Sequence, residues 1–258
     1  MLLLDVGNSR IKWVLAQGGA VLRHDHPQGE RQAAYPLRVL RQGTAGIAEW
    51  AALQRDFATL PPPHKILVSN VAGEQAAQQM RAACAIWPCP VEFITASAGQ
   101  CGVRNAYAQP AQLGSDRWAA LIAAWHQLHT ACLVVNCGTA TTVDALSDAG
   151  EFLGGLILPG VDMMRRCLAE GTAQLAATEG NWREFPRNTA DAMTSGAIQA
   201  TVGAIRQQFE LLGMPGARCL LSGGAADSVQ PHLRLPLVRV DNLVLLGLQV
   251  IGQESLQK

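Results

Sequence analysis

The feature that most constrains this chain is a likeness between its first residues and a segment near its middle. Leu3-Leu4-Asp5-Val6-Gly7-Asn8-Ser9 lies over Val134-Val135-Asn136-Cys137-Gly138-Thr139-Ala140 at one fixed offset, and the same offset puts Gly19 on Gly150 and Leu22 on Leu153 without a gap. In each copy an apolar strand ends in a small polar residue, turns at a glycine and runs into a second strand. The second strands are expected at Ile11 to Ala16 and Thr141 to Leu146, and third strands at Ala20 to Arg23 and Glu151 to Leu158. Self-similarity at strand-turn-strand corners implies a repeated supersecondary unit. The expectation is a two-lobed α/β protein that arose by duplication.

Helical sequence separates the copies. Gly46 to Phe57 and Glu74 to Ile86 have amphipathic spacing, while Lys65 to Val68 and Val91 to Thr95 read as strands bounded by Pro and Asn. Leu113 to His129 predicts a long helix with Trp118, Leu121, Ile122 and Trp125 on one stripe. Asn188 to Leu212 predicts another, with Ala192, Ala197, Ile198, Ile205 and Phe209 as core positions. Ala217 to Leu221 is a short apolar strand, and a last helix, Leu243 to Ile251, follows Asp241-Asn242, either of which suits an N-cap. The lobe boundary is expected between about residues 113 and 131, dividing the chain into 1–115 and 116–258.

Composition narrows the function classes. Lys plus Arg (20) equals Asp plus Glu (20), so no net field recruits nucleic acid or an anionic membrane. The 7 cysteines are odd in number and lack CxxC spacing, which argues against a disulfide framework and a zinc ribbon. The 6 histidines show no HxxxH or HExxH spacing, so no zinc site is expected. MLLLDVGNSR has no basic stretch before its apolar residues, and no apolar run approaches the roughly 18 residues that cross a bilayer. The expectation is a cytoplasmic protein with reduced thiols.

Four motifs carry chemistry. In Asp5-Val6-Gly7-Asn8-Ser9, a glycine turn admits a polyphosphate to backbone N–H groups, Asn8 and Ser9 add donors, and Arg10 or Lys12 supplies positive charge. Asp5 at the strand end suits Mg²⁺. The plain alternative is a tight hairpin with Asn at its tip. Asn136-Cys137-Gly138-Thr139-Ala140-Thr141-Thr142 offers threonine hydroxyls around a second glycine turn, or is simply a Thr-rich hairpin. Two such loops in matched positions, facing each other across an interlobe cleft, would clamp one nucleotide; no GxxxxGK[ST] is present. Ser222-Gly223-Gly224-Ala225 follows a strand and allows close approach of a flat or charged ligand, or is an ordinary turn. In Gly114-Ser115-Asp116-Arg117, a carboxylate and a guanidinium at a helix start would orient and deprotonate an alcohol and grip an anionic substrate. A capped helix with a solvated Arg is the structural alternative.

Taken in order, DVGNS, GSDR, NCGTATT and SGGAA closely resemble the type III pantothenate kinases, also described as Bvg accessory factor-like, from Leu3 to about Leu248. The resemblance implies a duplicated actin-like (acetate and sugar kinase/Hsp70/actin), ribonuclease H-like fold, a homodimer, and ATP-dependent phosphorylation of pantothenate at the start of coenzyme A synthesis. It implies that Asp116 is the general base. It assigns ATP contacts to Asp5, Val6, Gly7, Asn8, Ser9, Arg10, Ile11, Lys12 and Trp13, with Thr139, Gly223 and Gly224. Tyr107, Gly114, Ser115, Arg117 and Thr189 would contact pantothenate. Asp5 would hold Mg²⁺. The family begins its second loop with an Asp that binds a monovalent cation, K⁺ or NH₄⁺; here that position is Asn136, one negative charge short.

Two other readings stay open on the sequence alone. One is a regulatory nucleotide-binding protein without catalysis, against which Asp116 and Arg117 count. The other is a kinase of the same fold for a sugar or carboxylate, since substrate choice rests on few residues.

Overall fold

A computed structural model describes residues 1–17, 38–172, 174–175 and 178–255. The third strand expected at Ala20 to Arg23, with the matches at Gly19 and Leu22, lies outside the described residues. The elements run β1 Leu2–Val6, β2 Arg10–Ala16, β3 Val39–Gly46, α1 Trp50–Ala58, β4 Ile66–Asn70, α2 Glu74–Cys84 and β5 Val91–Phe93. Short strands β6 Gly99–Gln100 and β7 Val103–Asn105 precede α3 Ser115–Leu128. There follow β8 Cys132–Cys137, β9 Ala140–Leu146, β10 Glu151–Pro159, α4 Val161–Gly171 and α5 Thr189–Leu212. The chain closes with β11 Arg218–Ser222, α6 Ala226–Val229, β12 Leu237–Arg239 and α7 Leu243–Glu254.

Two compact units emerge: Met1–His129 with Ala149–Phe152 and Asn242–Lys258, and Thr130–Asp148 with Leu153–Asp241. A division between residues 115 and 116 would cut α3 at its first turn. All of α3 instead belongs to the first unit, where it packs on α7, and Gly247 of α7 exists because the Ala119 carbonyl fills the place of a Cβ.

The duplication is visible in topology. The first unit's sheet has the order β3-β2-β1-β4-β5, and the second unit's runs β10-β9-β8-β11-β12. In both, the opening strand is antiparallel to the next (β1–β2, β8–β9) and parallel to the one on its other side (β1–β4, β8–β11). Registers correspond too: Asp5 pairs with Ser69 and Asn136 with Ser222. The strands β1 and β8 are buried nearly throughout, as expected of central strands covered on both faces.

The gap-free overlay breaks at the turn. Asp5 faces Lys12 and Val6 faces Ile11, whereas Asn136 faces Thr142 and Cys137 faces Thr141. The second hairpin is therefore one residue shorter, and Thr141 rather than Thr142 stands where Ile11 stands. Loop length sets hairpin register, and a one-residue slip exchanges the faces of every following side chain.

Most elements fall where the apolar pattern puts them. Trp118, Leu121 and Ile122 of α3 are fully buried, as are Leu2, Leu4, Val6, Ile11, Leu53, Phe57 and Met80 in the first core. The second core is built from Leu133, Val135, Val143, Ile198, Ile205 and Leu221. The helix expected from Gly46 begins only at Trp50, because Val39–Gly46 pairs with β2 as an edge strand. Its residues are mostly exposed, so no alternation marked it. Asn242 takes the N-cap of α7 in the left-handed region (φ 55°), a conformation Asn tolerates, without a side-chain capping bond. Among the described residues no helix is long and apolar enough to cross a membrane.

Candidate active site

In the first unit, Asp5 sits one residue from the end of β1. Desolvation raises its carboxyl to about 7, the negative charge of Asp116 adds to the rise, and Lys12, its partner across the hairpin, offsets part of it. Burial also raises the carboxyl of Asp116, while the N–H of Arg117 and its guanidinium work against the rise. Two desolvated carboxylates near one another repel each other, and a cation between or beside them relieves the repulsion.

The helix that carries Asp116 is fastened to the sheet. Ser69 of β4 lies beside Asp5 in register, and its Oγ is 2.9 Å from the Oγ of Ser115. Ser115 Oγ also reaches the Asn70 carbonyl at 3.4 Å. Asn70 shapes the turn beneath, donating from Nδ2 to the Gly73 carbonyl at 2.9 Å and accepting from the Ala72 N–H at 3.0 Å. Asp116 Oδ1 accepts from the Arg117 N–H at 2.8 Å, and the room for that carboxylate comes from the missing side chain of Gly114.

Arg117 is only 6% exposed. Its Nη1 donates to the Tyr107 hydroxyl at 3.2 Å, and its guanidinium carbon lies 5.9 Å from the Tyr107 ring and 5.7 Å from that of Phe152. Those rings are 5.2 Å apart. Buried arginine held by two π faces is oriented for bidentate contact with an anion.

The Gly7–Ser9 turn is closed by the Gly7 N–H donating to the Arg10 carbonyl at 3.0 Å, so that N–H is already committed within the turn. The resemblance groups Val6, Ile11 and Trp13 with the nucleotide contacts, but their side chains lie in the core, Trp13 edge-on to Phe57 and over Gly43. Only their backbones are available to a ligand.

In the second unit three turns crowd together. The Gly138 N–H closes its turn on the Ala140 carbonyl at 3.0 Å, and the Gly160 N–H donates to the Thr139 carbonyl at 2.9 Å. A Cβ on Gly160 would collide with the carbonyls of Gly138 and Thr139. Gly223 (φ 101°) presses on the Cys137 backbone, and the Ala225 N–H donates to the Cys137 carbonyl at 3.0 Å. Arg239 of β12 holds this turn from behind, donating to the carbonyls of Leu221 (3.3 Å) and Gly223 (3.4 Å) and pairing with Asp227 and Asp241, both at 3.4 Å. Asn136, Thr139, Gly223 and Gly224 thus share one end of the second sheet.

Thr189 is the exposed first residue of α5. Asn188 caps that helix by accepting from the Asp191 N–H at 2.9 Å. Asp191 in turn accepts from the Asn181 N–H at 2.7 Å.

Sequence reasoning missed Ser69, Phe152 and Arg239. A signal existed for the first: Ile66-Leu67-Val68-Ser69 and Cys219-Leu220-Leu221-Ser222 are both three apolar residues followed by Ser, at equivalent strands. Phe152 and Arg239 carry no signal short of the fold. Among the described residues no group of three or more His, Cys, Asp or Glu side chains is placed to hold a metal alone. The buried Asp5 carboxyl still fits Mg²⁺, which takes as few as one carboxylate and completes its shell with water and substrate phosphate.

The model of the type III pantothenate kinase family matches residues 1–210. The type III pantothenate kinase of Aromatoleum aromaticum is 48% identical over 256 residues, covering 99% of this chain and 98% of the relative. That of Nitrosospira multiformis is 44% identical, covering 99% and 92%. Among solved structures, a protein from Campylobacter jejuni described as a Baf family transcriptional activator superposes with TM-score 0.59 at 20% identity, covering all of both chains. A protein from Sinorhizobium meliloti described as a 2-dehydro-3-deoxygalactonokinase superposes with TM-score 0.57 at 12% identity, covering 98% of each. These likenesses show the fold alone, the duplicated actin-like one expected from the sequence.

Proposed function

The chain belongs to the type III pantothenate kinase family, and we infer that it transfers the γ-phosphoryl group of ATP to pantothenate, the first step of coenzyme A biosynthesis, by the following division of labour. Asp116 accepts the proton of the pantothenate hydroxyl. Arg117, oriented by Tyr107 and Phe152, pairs with the pantothenate carboxylate, and Gly114, Ser115 and Thr189 complete that subsite. The turn after Asp5 and the Gly138–Thr139 turn serve the phosphates, and Gly223-Gly224 serves the adenosine.

What supports this reading is the link from Asp5 to its register partner Ser69, whose hydroxyl bonds that of Ser115, the residue before Asp116, so that the proposed base and the proposed metal carboxylate are tied to neighbouring strands of the first sheet. Mg²⁺ held at Asp5 would neutralise charge on the phosphates. Everything else this chain contributes is positioning and charge stabilisation, as phosphoryl transfer demands. Asn136 would offer a carbonyl oxygen to K⁺ or NH₄⁺, with weaker dependence on the cation than an Asp would give. A cytoplasmic homodimer is proposed from the family.

The test is ADP release by the purified protein, coupled to a reporter, with pantothenate present and absent, alongside a panel of sugars and hydroxy acids. Pantothenate-dependent release, with phosphopantothenate identified by mass, is the expected result. Equal release with and without pantothenate, or preference for another acceptor, would overturn it.

A further inference from the structure

We infer that Ser69 is a positioning residue for the Asp116 carboxylate, acting through Ser115. The inference rests on the assignment of Asp116 above and adds to it the means by which that carboxylate is held.

Ser69 is completely buried, at the end of a strand whose preceding residues, Ile66, Leu67 and Val68, are aliphatic and buried. A hydroxyl removed from water costs free energy unless it is hydrogen-bonded, and nothing in the packing of β4 requires one here. What Ser69 gains is the 2.9 Å bond to Ser115 Oγ, itself 7% exposed. The N-cap of α3 is Gly114, which makes no side-chain capping bond, so the tie of the first turn to β4 runs through the Ser115 hydroxyl, to Ser69 and more weakly to the Asn70 carbonyl. Gly114 serves as N-cap through its backbone alone, its carbonyl accepting from the Trp118 N–H at 3.0 Å, and Asp116 is the second residue of the turn that follows. The bond therefore fixes the part of the helix where a small displacement matters to chemistry.

Register shows what the other end is fixed to. Ser69 is the partner of Asp5 on β1, so one hydroxyl pair ties the strand beside the metal carboxylate to the residue preceding the base. The Asn70 side chain stiffens the turn that follows, through the Gly73 carbonyl and the Ala72 N–H, so the anchor does not sit on a loose loop. In the second unit Ser222 occupies the same register position beside Asn136, but there the chain runs on through Gly223-Gly224. The serine belongs to the duplicated frame. The link to a catalytic helix belongs to the first copy.

The test uses the full-length protein with Ser69→Ala, Ser115→Ala and the double variant, each assayed with ATP and pantothenate. The expected result is a fall in kcat of about 10-fold or more in each single variant, as for sub-ångström to ångström misplacement of a reacting group. The KM for ATP and the calorimetric affinity for ATP should stay within about 2-fold, and the double variant should be no worse than the poorer single one, because both remove the same bond. A purely structural role would lower the melting temperature and leave kcat of the folded enzyme untouched. Should Ser69→Ala not fold, Ser69→Cys, nearly isosteric with a weak donor, replaces it with the same expected loss. Wild-type kcat in a folded Ser69 variant, or losses that multiply in the double variant, would overturn the inference. Wild-type protein inactive on pantothenate would instead overturn the assigned function.

Discussion

A Cβ on Gly114 would stand 2.6 Å from Oδ1 of Asp116. The backbone at Gly114 (φ −55°, ψ 138°) is open to any residue, so glycine is present for space and not for conformation. Gly114→Ala should leave the fold intact and push the carboxylate aside, lowering kcat by about 10- to 100-fold with a melting temperature within a few degrees of wild type. Steady-state kinetics beside a thermal melt check it. An unchanged kcat would mean that the carboxylate moves without consequence.

Asp116→Asn tests the base itself. The amide keeps an oxygen to accept from the Arg117 N–H, now 2.8 Å from Oδ1, so the helix start should survive. It cannot take a proton, and turnover should fall by about 10²- to 10⁴-fold. Pantothenate phosphorylated at the wild-type rate by the purified variant would show that the base is another group.

The duplication and its consequences were legible because strands buried on both faces leave a strong apolar signature, and because Gly7 and Gly138 mark equivalent corners. The overlay failed one residue beyond the glycine: hairpin length is set by backbone geometry that Gly-Thr and Gly-Asn-Ser do not declare. β3 stayed hidden for a different reason. It is an exposed edge strand defined by hydrogen bonds to β2 and by the Trp13 ring lying on Gly43, neither of which is a periodic pattern. In the site, GSDR named Asp116 and Arg117, but Phe152 meets Arg117 only through the pairing of β7 with β10, a long-range contact no local spacing encodes.

That pairing yields a prediction about the acceptor. Phe152→Leu keeps an apolar core residue and removes one of the two rings facing the Arg117 guanidinium. The KM for pantothenate should rise about 3- to 10-fold, in line with loss of a desolvated cation–π contact, while the KM for ATP stays constant. Equal changes in both constants would point to general loosening and not to Arg117.

The Asp5 carboxyl gives a pH dependence of definite sign. Its value is raised from 3.8 to about 7 in the folded protein, so between those values the native state holds a proton that the unfolded chain has released. Its contribution to stability is therefore complete below about pH 4, declines as pH rises towards 7, and is flat above. Asp5→Asn should remove this slope, seen as a smaller fall in unfolding free energy between pH 4 and 7 than in wild type. Mg²⁺ competes for the same carboxylate, so affinity of the wild-type protein for Mg²⁺ should climb over that interval and level off near pH 7. A wild-type slope equal to that of the variant would show that Asp5 is ionised throughout.

Arg239 makes the last prediction, and it concerns the nucleotide. Its guanidinium donates to the carbonyls of Leu221 and Gly223, holding in place a turn whose glycine has φ 101° and lies against Cys137 at the root of the Gly138–Thr139 loop. Its acidic partners Asp227 and Asp241 are 85% and 80% exposed, so leaving them unpaired costs little and does not obscure the effect on the turn. Arg239→Ala should raise the KM for ATP by about 10-fold and leave that for pantothenate within 2-fold. Arg239→Lys should recover only part, because one ammonium cannot span two carbonyls as a planar fork does. If the constants for the two substrates rise together, or lysine restores the wild-type value, then Arg239 acts as a general surface charge and the turn it braces does not set nucleotide affinity.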